Sequence, residues 1–296
     1  MELQWRTCGR TSAWHWAWAV AHGLPIHGDV PPELKTAADS MQQLAKIMDV
    51  PEPRLWHTVI GLAPLVSRPT DLVQRTLVRL LPSAARTTTR IEALTAIARQ
   101  VESAFGQAAP QFESEIGLRV GPIKHQWQEH GPGLMRHIET LMGADLLVER
   151  AEVVLVQPLT GGFGLAHLDT NRVHLEAVLT NPTADLPETL RLAWLLTQLD
   201  LDRPVYSDNV HRDRLHRLAA LAMLAPTLAA AQELGLTTFD AQRVAQAITQ
   251  WRLESTDPQR DAAVVVSWWE TFQNMQPTVA IGLVALDRLL ETENPS

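Results

Sequence analysis

EVVLVQPLTGGFGLAHLDTNRVHLEAVLTNPTADLPETLRLAWLLTQL, residues 152–199, is the one stretch of this 296-residue chain that reads as sheet. Glu152 to Gln157 is β-rich, and Gly161-Gly162 breaks the run. Residues 163–168 and 172–180 then read as two strands joined by Asp169-Thr170-Asn171. In the second of them Val173, Leu175, Ala177 and Leu179 alternate with Arg172, His174, Glu176 and Thr180. That alternation predicts one buried and one wet face, as in a small antiparallel sheet over about 152–180. After Asn181-Pro182 a helix over 186–199 follows, with Asp185 and Glu188 at the spacing of a capping box. Leu192, Leu195, Leu196 and Leu199 form one stripe, and Leu190, Ala193 and Trp194 cover much of the rest. A helix apolar nearly all round is a central, buried one.

Elsewhere the apolar spacing predicts helices over 11–22, 33–48, 54–66, 70–81, 88–105, 134–147, 209–233, 239–254, 259–273 and 277–291. The 209–233 helix is expected to bend at Pro226, and the 239–254 helix to be capped from Thr237 or Thr238. Residues 108–133 carry repeated Gly and Pro and read as a loop. The fold class is therefore α+β and mostly helical, with the small sheet packed on the 186–199 helix. A helical region over 1–150 precedes a region 151–296 that holds the sheet. With no linker between them, one continuous body with the sheet set into its middle fits as well.

Composition narrows the function classes. The formal net charge is -8, and no run of five basic residues occurs, which argues against nucleic acid as a partner. The lone Cys8 excludes an intramolecular disulfide and any multi-cysteine metal site, in keeping with a cytoplasmic protein. Apolar runs such as 218–225 fall far short of the ~20 residues that span a bilayer, so no membrane partner is expected. GGFG at 161–164 lacks the spacing of a dinucleotide loop, and no cofactor is implied.

A hairpin followed by this helix resembles the catalytic core of zincin-like metallopeptidases of the gluzincin type. In that family the hairpin's last strand forms the substrate-binding edge. The helix carries a pattern such as L-A-H-E-x-x-H, whose two His grip zinc while the Glu activates the bound water. The matching segment here begins Leu192-Ala193, but Trp194 stands at the first His place, Leu195 at the Glu place and Gln198 at the second His place. Indole offers a metal no lone pair, and Leu cannot take a proton. The resemblance implies a degenerate, inactive relative with no catalytic residue and no metal, whose edge strand could accept a peptide or protein.

Two alternatives stand beside it. His174 and Glu176 share a strand face, and a Thr170-Asn171 turn would set His167 opposite His174. That gives His167, His174 and Glu176 as candidate ligands of a metal-dependent hydrolase. The other is a helical scaffold unrelated to peptidases that meets partners through exposed Trp. His211 and His216 lie five apart, about 140° round a helix, which suits joint ligation poorly. His125, His130 and His137 show no ligand spacing, and Cys8 near His15 is the only pairing that suggests a thiol nucleophile.

Overall fold

The computed structural model describes residues 1–143 and 146–292; within it the chain is an α+β protein, 64% helical, with a four-stranded sheet. In order the elements are β1 (Glu2–Thr7), α1 (Gly9–Ala21), α2 (Pro32–Met48), α3 (Glu52–Leu62), α4 (Pro69–Leu80), α5 (Thr88–Ala108) and α6 (Phe112–Met142). The strands β2 (Arg150–Val156), β3 (Gly164–His167) and β4 (Arg172–Glu176) follow. Helices close the chain: α7 (Glu188–Thr197), α8 (Pro204–Ser207), α9 (Leu215–Ala222), α10 (Leu224–Glu233), α11 (Ala241–Gln250), α12 (Pro258–Met275) and α13 (Val279–Thr292).

These elements make two compact units that interleave in sequence. One comprises residues 1–5, 119–153 and 162–296; the other comprises 6–118 and 154–161. In the second, α1 starts on Cys8, whose Sγ accepts from the Thr11 N–H at 3.5 Å. Trp14 meets Trp56 of α3 edge to face at 6.1 Å. Arg10 reaches Glu102 of α5 at 2.6 Å, and the Gln157 N–H donates to Ser12 Oγ at 3.2 Å. Eight of the ten Trp in the chain are buried, and Trp5 and Trp18 are half-buried. The expected partner surface of exposed Trp is thus absent among the described residues.

The sheet departs from the antiparallel one expected. Its order is β1-β2-β4-β3, and it is mixed and mostly parallel. Only β3–β4 is the antiparallel hairpin, so β1, β2 and β4 run parallel. The Glu2 N–H donates to Glu149 O at 2.7 Å, and the Glu152 N–H to Asn171 O at 2.9 Å. β1 has no sheet signature in sequence because its side chains are alternately exposed and half-buried along a polar edge strand. β4 is interior, and all five of its residues are buried, including Arg172, His174 and Glu176. The expected wet face is lost because an interior strand of a parallel sheet is covered on both faces. The strand also ends at 176 rather than 180, where the Val178 N–H turns back to Glu176 O at 3.0 Å.

Residues 108–133 are corrected outright. They form most of α6, which runs through Pro122 and Pro132. Phe112, Ile116, Ile123, Trp127, Leu134, Ile138 and Met142 are all buried, at spacings of four and seven. One continuous apolar stripe outweighs the helix-breaking residues, since most helix stability comes from packing. Positions 144 and 145 of the helix expected over 134–147 lie outside the described residues. The expected 209–233 helix is two, α9 and α10, parted at Met223. The break falls a turn before Pro226, whose ring and missing N–H disrupt the preceding turn. The 239–254 helix is capped by Asp240, whose Oδ1 accepts from the Arg243 N–H at 2.8 Å. Thr238 supports that cap by donating to Asp240 Oδ2 at 2.9 Å.

α7 is buried along its whole length, as its sequence requires. The capping box does not form. Asp185 pairs instead with Arg243 at 2.9 Å, while Asn181 Oδ1 accepts from the Glu188 N–H at 3.1 Å. α7 approaches the hairpin so closely that a Cβ on Gly164 would lie 2.5 Å from Leu195 Cδ1 and 3.2 Å from His174 O. Gly164→Ala is therefore expected to cost about 1–3 kcal/mol by overpacking, read as a lowered urea midpoint. An unchanged midpoint would show that Leu195 yields freely.

Candidate functional site

The hairpin and α7 hold every residue singled out in the sequence. Register pairs His167 with Arg172 and Leu165 with His174, two residues away from the pairing a Thr170-Asn171 turn would give. The turn is longer, over Leu168–Asn171, with Asn171 at a left-handed φ of 36°. A shift of two keeps the same face, so His167 and His174 become diagonal neighbours, with His167 Nε2 and His174 Nδ1 3.0 Å apart.

Glu176 shares their strand face but is engaged elsewhere. Its Oε2 accepts from the Gly162 N–H at 2.9 Å and the Phe163 N–H at 3.2 Å. Among the described residues no group of three or more His, Cys, Asp or Glu is arranged to hold a metal ion. The two histidines of the candidate set come together; the carboxylate instead closes the Gly-rich turn.

The three positions that the sequence sets against a zincin motif, Trp194, Leu195 and Gln198, are packed into the core. Trp194 donates from Nε1 to Ala220 O at 2.7 Å and packs beside Trp251, the C-cap of α11, with ring centres 5.1 Å apart. Ala220 is in the last turn of α9, just before the Met223 break, and the indole gives its carbonyl a donor. Leu195 points under β3 at Gly164. Gln198 is the C-cap of α7, and its Nε2 donates to Trp194 O at 3.0 Å, a carbonyl that also accepts from Thr197 Oγ1 at 2.8 Å. Indole, leucine and a spent amide offer neither a metal ligand nor a general base.

Sequence reading missed the charged residues beside them. Arg191 is fully buried on α7, and its Nη2 donates to Glu176 O at 3.1 Å and to Glu188 Oε2. Burial pushes the Glu188 carboxyl up, Arg191 pulls it down, and Glu176 adds a smaller upward push. Gly162, at φ 152°, sits where a side chain would press on Gln250 O and Arg191 Nη1, at 3.4 and 3.6 Å. The signal was available in part: an Arg among leucines on a helix apolar on every face has no wet side to occupy.

The remaining histidines do not join this site. His211 is exposed with Asp213 3.9 Å away, and His216 is held below its ordinary range by burial against a smaller opposing pull from Asp169. Asp202, near the hairpin turn, is pushed up by burial and by Asp169 and Asp200. His125, His130 and His137 all lie along α6. Cys8 serves the α1 N-terminus, two turns from His15.

Comparison with known protein families, with curated proteins and with solved structures finds no match to this chain. Among the described residues no helix is long and apolar enough to cross a membrane.

Proposed function

We propose that the chain is a catalytically inactive protein of zincin-like design that acts by binding a peptide or protein. The observation that carries this reading is Trp194, which stands at the first His place of the matched motif and whose indole is bonded to Ala220 O and packed at a tilt beside Trp251. The order of hairpin then buried helix, with Leu195 against Gly164, supports the likeness in design. The sheet edge supports strand addition poorly. At the hairpin's side of the sheet the edge is β3, not the hairpin's last strand, and its Gly164, Ala166 and His167 are buried. Apolar side chains in the open at the α12–α13 connection fit a partner better, with Met275 75% and Ile281 61% exposed.

Two measurements test the two halves. Protein purified without chelator is expected to hold no stoichiometric zinc and to leave a fluorogenic peptide library uncleaved. Stoichiometric zinc with chelator-sensitive cleavage overturns the inactive reading. Peptides selected by display on the immobilised protein are expected to lose binding to a Met275→Ser/Ile281→Ser variant. Selection that enriches nothing, or peptides indifferent to that variant, overturns the binding reading.

A further inference from the structure

Arg191 is fully buried, yet only one of its nitrogens is engaged. Nη2 holds Glu176 O and the Glu188 carboxyl, while Nε and Nη1 meet no hydrogen-bond partner among the described residues. Gln250, the last residue of α11, shows the same imbalance. Its Oε1 accepts from Thr183 Oγ1, and its buried Nε2 has no partner among the described residues. Leaving a buried donor unmet costs stability, so native interiors pair such groups with protein or with ordered water.

Gly162 marks the place where Nη1 can be met. At a φ of 152° the position favours glycine, so a hydrogen stands where other residues carry Cβ. A carbon built there would lie 3.4 Å from Gln250 O, 3.6 Å from Arg191 Nη1 and 4.0 Å from Pro182 Cγ. One acceptor, one donor and one apolar carbon thus face the same point, none of them closer than ordinary van der Waals contact. Gly162 is buried and Pro182 beside it is exposed, which sets the point just beneath the surface.

Charge and hydrogen bonding decide the class of occupant. Arg191 is already paired with Glu188, so an anion would gain little there and would face the Gln250 carbonyl oxygen. A cation would face the guanidinium. A neutral molecule that both accepts and donates suits both walls, and water is the smallest that does so.

We infer that an ordered water bridges Arg191 Nη1 and Gln250 O beside Gly162. It accepts from the guanidinium and donates to the carbonyl, joining α7 to the end of α11 at the turn that leads into β3. The inference stands apart from the proposed function, because it concerns how these three elements are joined.

A crystal structure of the full chain at a resolution that shows waters tests it. A single oxygen is expected within about 3.2 Å of both atoms, and it is expected to stay after a bromide soak. In solution, the Gly162 α-proton that takes the Cβ direction reads the same water. A cross-peak between that proton and water is expected, with the sign of a slowly exchanging molecule. Chemical exchange cannot produce it, because the proton is bound to carbon. Bromide at this point would overturn the inference in favour of an anion site. Arg191 Nη1 turned onto a protein acceptor, a point without density, or no cross-peak at an assigned Gly162 α-proton would overturn it outright.

Discussion

Arg191→Ala is expected to lower stability by about 3–5 kcal/mol, the range for breaking a buried ion pair by removing one member. The guanidinium is fully buried, and one of its nitrogens holds both the Glu176 carbonyl and the Glu188 carboxyl. Without it, the buried Glu188 carboxyl loses its charged donor. The same truncation strips α7 of its polar tie to β4, leaving the apolar contact of Leu195 with Gly164. Urea unfolding followed by Trp fluorescence reads the loss. A Glu188→Ala/Arg191→Ala double variant should recover part of it, because removing both partners leaves no unpaired charge from that pair. A loss below about 1 kcal/mol, the ceiling for a typical exposed pair, would place Arg191 in solvent instead.

Trp194→Ala is expected to cost about 3–5 kcal/mol, as for truncating a buried Trp. The indole is lost from against Trp251, and the Ala220 carbonyl loses its donor beside the α9–α10 break. Trp194→Phe separates the two contributions. It retains much of the ring packing and gives up the hydrogen bond, so its cost should lie nearer the ~1–3 kcal/mol of one unsatisfied buried group. Thermal and urea unfolding of both variants checks the order. If Trp194→Ala were nearly neutral, the position would not be a core site, and the main support for an inactive reading would fall with it.

The two substitutions bear on how this region is packed. Several polar groups of the hairpin and α7 are committed to partners within their own element. Gln198 is turned onto Trp194 O, Glu176 onto the Gly162 and Phe163 amides, and His167 onto His174. Groups spent in this way rigidify a core, whereas a catalytic site holds at least one such group poised toward substrate.

Much of this was legible in the residues alone. The buried character of α7, the β3–β4 hairpin and the mostly helical class follow from local apolar period, which needs no knowledge of distant neighbours. The absence of a zincin motif at Trp194, Leu195 and Gln198 is likewise a matter of side-chain chemistry. What only the tertiary structure decided is pairing across sequence distance. The N-terminal β1 joins β2, making the sheet mostly parallel, and the whole of β4 is buried between β2 and β3. Alternation along β4 signalled one wet face, because sequence shows which residues are polar and not what covers them. α6 showed the opposite failure: Gly and Pro masked a stripe from Phe112 to Met142 that packing keeps helical. Glu188 reads in sequence as a cap and Arg191 draws no reading, since charged side chains are almost never fully buried unless paired. The Glu176 carbonyl that Arg191 also holds lies 15 residues before it, and folding alone brings the two together.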